Sequence, residues 1–258
     1  MVTGSRRSPA RRNMDLGRLY HARRTDGVLG AKSTSGGQGA DLLWEVMRLG
    51  ILGPAKGDLH AIAAAATYLA DEVKVDKVLY LSSDGALDRV AWAWGRGIVG
   101  GAEPHEDALF ARAVLRCSKG SPETIDAFVQ AERERARLRM FTSLPDGHRR
   151  TIEFFDGRVA LFVYDKSILD EEDLMAANLL VFGRSREPQL KRVGTRMFVS
   201  PGPIGVAGGG LGVIEEAKPS GVAVKILDAR GVVSHEDTLG GGSLMSGIKM
   251  RVQSGKNG

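Results

Sequence analysis

The sequence predicts an α/β protein in which two facing mixed β-sheets form a β-sandwich flanked by helices. Three observations lead to this fold class. A strand–helix–strand unit comes early in the chain, hairpin signals dominate later, and 43% of the 258 residues are apolar, enough for a substantial core. Because the parallel and hairpin signals are segregated along the chain, two sheets are favoured over one doubly wound sheet.

The early unit begins with "RLGIL", Arg48–Leu52, which reads as a strand that ends at a Gly-Pro turn. The alanine-rich segment Asp58–Val73 predicts a helix with Asp58 near its N-terminus. The apolar run Asp76–Ser83 predicts a second strand. Short links between these elements make the two strands parallel neighbours.

The middle of the chain predicts a third strand near "AVLRC", residues 113–117, with Cys117 at its end as a small buried hydrophobic residue. A helix follows, with Ser121 as its N-cap and Pro122 in its first turn. Trp92 and Trp94 would share one face if their segment is extended, which favours a place in the core over a contact with a partner.

Later segments predict a β-hairpin around Asp156-Gly157, because Asp-Gly between apolar runs favours a tight turn. A short helix in "SILDEEDLMAAN" precedes the strands "LLVFG" and "RMFVSPG", and two more strands flank "DARG". The glycine-rich Gly205–Gly212 does not lie between a strand and a helix, so it predicts a flexible loop and not a phosphate-binding loop.

Charge is concentrated near the start of the sequence. Residues 1–32 hold eight Lys or Arg and two Asp, a net charge of +6 (8 − 2), while the whole chain has +5, so the rest sums to about −1. We therefore expect a disordered basic arm and linker at 1–40, a folded domain at 41–239 and a flexible tail at 240–258. The arm suits an acidic protein, nucleic acid or anionic lipid, or is simply a solvated tail.

Composition also bears on location. No apolar run approaches 18 residues, so no membrane span is expected. One cysteine excludes an internal disulfide and a four-thiolate zinc site. We expect a cytoplasmic protein; the alternative is an organellar protein, since the arm is rich in Arg and Ser and poor in acidic residues.

Two loops carry a family resemblance. "GRSREP", Gly183–Pro188, follows one apolar strand, and "SPGP", Ser200–Pro203, follows the next. With the earlier strand and turn pattern, Arg48–Leu239 resembles the calcineurin-like metallophosphoesterase superfamily, in particular its small branch of compact bacterial phosphodiesterases and a non-catalytic retromer subunit.

The resemblance implies five loops at the C-terminal ends of strands that deliver Asp, His and Asn ligands to two metal ions, which activate a hydroxide nucleophile. Where the family has Gly-His-Thr-His, this sequence has Arg184 and Arg186. In the second loop either Asp84 keeps the bridging position or Ser83 occupies it. The positions that the resemblance assigns to the metal site are Pro54, Lys56, Asp84, Tyr164, Asp165, Arg184 and Arg186.

Three of these side chains, Lys56, Arg184 and Arg186, cannot bind a metal, because Arg and Lys have no lone pair to donate at neutral pH. The sequence therefore predicts no metal cofactor and no catalytic residue, and favours a non-catalytic scaffold that binds a protein partner. Three roles for Lys56, Arg184 and Arg186 stay open. They pair with Asp84 or Asp165 as structural ion pairs, they bind an anion such as a nucleotide, or they serve an active phosphodiesterase.

Overall fold

The computed structural model describes residues 47–145 and 149–240. The described residues all belong to one compact unit of the chain. The predicted arm, and the predicted tail beyond Gly240, lie outside the described residues. No helix in the described part of the chain is long and apolar enough to cross a membrane.

Eleven strands within the described residues form two mixed sheets. One sheet has the order β11-β10-β9-β1-β2-β3 and the other β4-β5-β6-β8-β7. The strands are β1 Arg48–Leu52, β2 Lys77–Tyr80, β3 Phe141–Ser143, β4 Thr151–Phe155, β5 Arg158–Val163, β6 Leu179–Phe182, β7 Gln189–Val193, β8 Arg196–Ser200, β9 Leu211–Glu216, β10 Gly221–Leu227 and β11 Val233–Gly240.

Each sheet combines three parallel strands with antiparallel neighbours. In the first, β1, β2 and β3 run parallel, while β9 is antiparallel to β1. In the second, β5, β6 and β8 run parallel, while β4 and β7 pair antiparallel at the two edges. The predicted parallel pair and the predicted hairpin around Asp156-Gly157 are both confirmed.

The α-helices are α1 Leu59–Tyr68, α2 Ala86–Ile98, α3 Leu109–Cys117, α4 Pro122–Arg137 and α5 Glu171–Ala176. Asp58 caps α1 by accepting hydrogen bonds from two backbone N–H groups. A π-helical turn, Leu69–Val73, continues α1 to the predicted end. Ser121 caps α4 and Pro122 occupies its first turn, as predicted.

The main core lies between the two sheets. Leu49 and Ile51 of β1 pack in one cluster with Phe162 of β5 and Val181 of β6, and all four are fully buried. A second cluster packs α1 and α2 on the other face of the first sheet, and a smaller one packs α5 against the second sheet. The predicted two-sheet α/β sandwich with flanking helices is therefore confirmed.

In the middle of the chain the predicted strand is wrong, and the predicted place of the two tryptophans in the core is confirmed for Trp94 only. The segment "AVLRC" is the end of α3 and not a strand, and Cys117 at its end is only partly buried. Its apolar residues face solvent, so they do not indicate a buried strand. Trp92 and Trp94 lie on the helix α2, where residues two apart point to different sides. Trp94 packs edge-on against Phe141 at 5.3 Å, whereas Trp92 is 39% exposed.

Four elements of the structure were not predicted from the sequence: α2, β3, β7 and β9. The strand β7, "QLKRV", is an exposed edge strand and lacks an apolar run. The glycine-rich segment is a loop only as far as Gly210, because Leu211 and Gly212 begin β9 beside β1. The prediction of a loop over the whole segment is wrong at that end.

Candidate functional site at the loops between the sheets

The residues that the resemblance assigns to a metal site lie on loops after parallel strands. These loops follow β1, β2, β5 and β6, and a further loop follows β8. Because the carboxyl ends of parallel strands meet at one edge of each sheet, these loops share one end of the sandwich. Close backbone contacts at two glycines then bring the loops of the two sheets together.

Two glycines make this approach possible. A Cβ atom at Gly53, after β1, would lie 1.7 Å from the carbonyl oxygen of Gly202, after β8. A Cβ atom at Gly183, after β6, would lie 1.7 Å from the carbonyl oxygen of Leu81, after β2. The loops of one sheet thus touch the loops of the other directly through their backbones, with no room for a side chain between them.

The first loop provides no metal donor from its side chains. The Pro54 carbonyl accepts a hydrogen bond from the backbone N–H of Ile204 at 3.0 Å, which ties this loop to the loop after β8. Lys56 is exposed, has a φ of 51°, and takes part in none of the hydrogen bonds or ion pairs found among the described residues. Asp58, which the sequence placed near the N-terminus of a helix, is occupied by capping α1.

In the second loop Asp84 is held by neighbours within its own segment. One carboxylate oxygen accepts from the Tyr80 hydroxyl at 3.3 Å and the other from the Ala86 backbone N–H at 3.0 Å. The same hydroxyl accepts from the backbone N–H of Ala55 in the first loop at 3.1 Å. Burial raises the pKa of Tyr80, which keeps this hydroxyl protonated and able to donate.

Sequence reasoning missed Tyr80, although it links the first two loops. It is fully buried at the last position of β2. A tyrosine that ends an apolar strand just before a polar loop is a signal that could have found it, since a buried hydroxyl needs a partner.

An ion pair joins the loop after β5 to the loop after β6. The guanidinium of Arg184 donates to the carboxylate of Asp165. The pKa of Asp165 lies below its usual range. The main cause is a hydrogen bond from the Ser167 backbone N–H at 2.9 Å, and the second is the hydrogen bond from the Arg184 guanidinium. The same pairing raises the pKa of Arg184 further. The Arg184 backbone N–H also donates to the carbonyl of Tyr164 at 2.7 Å, and the Tyr164 side chain packs against the core between the sheets.

Arg186 is exposed and, like Lys56, enters none of the hydrogen bonds or ion pairs found among the described residues. The neighbouring Ser185 hydroxyl donates to the carbonyl of Glu187 at 2.6 Å and closes the turn. The loops thus bring together Asp165 and Arg184, but they leave Asp84 with Tyr80 and not with a cation.

These residues do not fit the pair of metal ions that the resemblance implies. Across residues 47–145 and 149–240, no three His, Cys, Asp or Glu side chains come together in a way that could hold a metal ion. Of the two carboxylates at the positions assigned to the metal site, Asp165 is neutralised by Arg184 and Asp84 accepts two hydrogen bonds. Hard divalent metals need several anionic or imidazole donors, which this site lacks.

No family model matches the chain, and no curated protein matches it. Several solved structures are similar to the chain. A protein from Streptococcus pneumoniae TIGR4, described as a predicted phosphoesterase, is 14% identical with a TM-score of 0.40, over 75% of this chain and 98% of its own. An archaeal phosphodiesterase is 13% identical with a TM-score of 0.37, over 74% and 99%.

Vacuolar protein sorting 29 from Cryptosporidium parvum is 10% identical with a TM-score of 0.37, over 76% of this chain and 99% of its own. At such identities the likeness is one of fold and says nothing of activity. The two-sheet architecture itself follows from the strand order of this chain.

Proposed function

We propose that this chain is a non-catalytic scaffold or protein-interaction module that uses a metallophosphoesterase-like fold without a dinuclear metal site. One observation carries the proposal: the ion pair between Asp165 and Arg184, which lies where the resemblance would place metal ligands. A carboxylate that would bind a metal is instead paired with a side chain of the protein.

Charge supports the same conclusion. Replacing imidazoles with Arg184 and Arg186 adds positive charge next to the position of two divalent cations, and repulsion between like charges opposes binding. The loop geometry itself is retained through the close contacts at Gly53 and Gly183, which need no metal. A fold that keeps its core and loses its chemistry retains its surface as the basis of function.

The test combines metal content with activity. Protein purified without a chelator should contain well under one equivalent of Mn, Zn or Fe, and should not hydrolyse an aryl phosphodiester with or without added manganese. Two bound equivalents together with manganese-dependent hydrolysis would overturn the proposal in favour of an active phosphodiesterase.

A second candidate is a sensor of phosphate or nucleotides, favoured by the two exposed cations Lys56 and Arg186 that have no partner among the described residues. A sensor gains about 1–3 kcal/mol of stability when its ligand is at 10–100 times the dissociation constant. Combining Lys56→Ala with Arg186→Ala should abolish that gain, whereas Lys191→Ala, an exposed lysine on β7, should not. The scaffold proposal expects no stabilisation of the wild type by phosphate or nucleotide.

The basic segment of residues 1–40 is proposed to contact an acidic protein surface, in a cytoplasmic protein. Its net charge of +6 favours association with a negative surface through long-range attraction. Binding to nucleic acid or anionic lipid instead is an outcome of the test given in the Discussion.

A further inference from the structure

Helix α3 exposes its apolar side chains and buries an arginine. Phe110, Val114 and Leu115 are 82%, 67% and 72% exposed, whereas Arg112 is only 4% exposed. A surface helix ordinarily has the reverse arrangement, with its apolar stripe facing the core. The apolar face of α3, defined here by Phe110, Val114 and Leu115, is therefore left uncovered by the rest of residues 47–145 and 149–240.

This orientation is fixed by hydrogen bonds. Arg112 donates from Nε and Nη2 to the two carboxylate oxygens of Glu132 on α4, at 2.6 and 2.9 Å. Its Nη1 donates to the carbonyls of Glu103 and His105, at 2.5 and 2.7 Å. Rolling the helix to bury Phe110 would break this buried pair and leave charges without partners, which is strongly unfavourable. The apolar face is thus held outward.

The neighbouring helix α4 also exposes apolar side chains. On α4, which packs against α3, Ile125 and Val129 are one turn apart and 39% and 37% exposed. Five apolar side chains on two adjacent helices are therefore available to a partner. A single exposed leucine or valine is normal on a protein surface, whereas five exposed apolar side chains on two adjacent helices are unusual.

Charges at the two ends of α3 identify the partner. Asp107 lies just before the helix and Lys119 just after it; both are exposed, and neither enters an ion pair or hydrogen bond found among the described residues. A second α3 placed antiparallel would set an acidic end against a basic end at both ends of the contact. Such an arrangement is self-complementary, as a two-fold interface requires.

We propose that the apolar face of α3 is the centre of a two-fold symmetric dimer of this chain, with the α3 helices of the two copies packed antiparallel. Phe110 and Val114 of each copy then cover those of the other. Asp107 of one copy faces Lys119 of the second. The inference does not depend on the state of the loop site.

The first test is the mass of the full chain in solution, measured by light scattering during gel filtration over a range of concentrations. The wild type should approach twice the 27.6 kDa of one chain. Phe110→Asp should weaken the dimer on the order of 100-fold, because it places two charges in the centre of the interface. The matched control is Phe154→Asp on β4, where the side chain is 65% exposed, and it should stay dimeric.

The second test uses charge exchange and does not alter the apolar face. Asp107→Lys and Lys119→Glu should each weaken self-association, because like charges then meet twice. Mixing the two variants should restore a dimer, since one copy has two basic ends and the other two acidic ends. A wild type that stays monomeric at all concentrations, a dimer insensitive to Phe110→Asp, or a mixture that fails to pair would each overturn the proposal.

Discussion

The contact between Gly183 and Leu81 is expected to control the stability of the whole sandwich. In Gly183→Ala, the new Cβ would lie 1.7 Å from the Leu81 carbonyl oxygen, while ordinary contact begins at 3.4 Å, so the two backbones must separate by about 1.7 Å (3.4 − 1.7). This movement strains the hydrogen bonds from Gly183 to Val163 and from Arg184 to Tyr164, at 3.1 and 2.7 Å. Overpacking costs about 1–3 kcal/mol, and each hydrogen bond contributes about 0.5–1.5 kcal/mol, so we expect a loss of about 3 kcal/mol.

A loss of that size lowers Tm by about 6–12 °C in a domain of this length, measurable by circular dichroism during heating. The matched control is Gly97→Ala on α2, where no atom lies within 4 Å of the added Cβ, and there we expect a gain of about 0.5–1 kcal/mol. If the Tm of Gly183→Ala lies within about 2 °C of the wild-type Tm, the close contact between Gly183 and Leu81 does not stabilise the sandwich. Gly53→Ala, whose Cβ would meet the Gly202 carbonyl, should behave like Gly183→Ala.

Two further predictions concern charge. The hydrogen bonds from Arg112 hold the pKa of Glu132 below its usual range, so its contribution to stability is complete above the unfolded pKa of about 4.3 and is lost as the pH falls through the lower folded value. When unfolding by urea is measured from neutral to acidic pH, the free energy of unfolding should fall less steeply in Glu132→Gln than in the wild type. An equal dependence on pH in the two proteins would contradict this. Removing residues 1–40 changes the net charge from +5 to about −1 and should abolish salt-sensitive binding to an acidic protein. If binding is retained without these residues, the contact lies on the folded domain. Capture of nucleic acid or of anionic vesicles by the full chain, with no acidic protein bound, would instead assign the arm to those partners.

Local signals in the sequence predicted much of the fold. The caps at Asp58 and Ser121 and the turn at Asp156-Gly157 act between residues a few positions apart, so short windows of sequence identify them. The strand β7 was not predicted, because an edge strand with both faces exposed does not need the apolar pattern that identifies a strand. For α3, apolar residues that face solvent indicated a buried strand, because a local window cannot show which side is covered.

The sequence by itself determined which chemistry the loops lack, since Lys56, Arg184 and Arg186 cannot donate electron pairs to a metal in any conformation. It left open which cation pairs with which carboxylate. Only the tertiary structure decided that Arg184 meets Asp165, 19 positions away, and that Arg112 turns inward to Glu132, 20 positions away. Such pairings depend on how strands and helices pack, because contacts between distant residues form only when the elements that carry them are brought together.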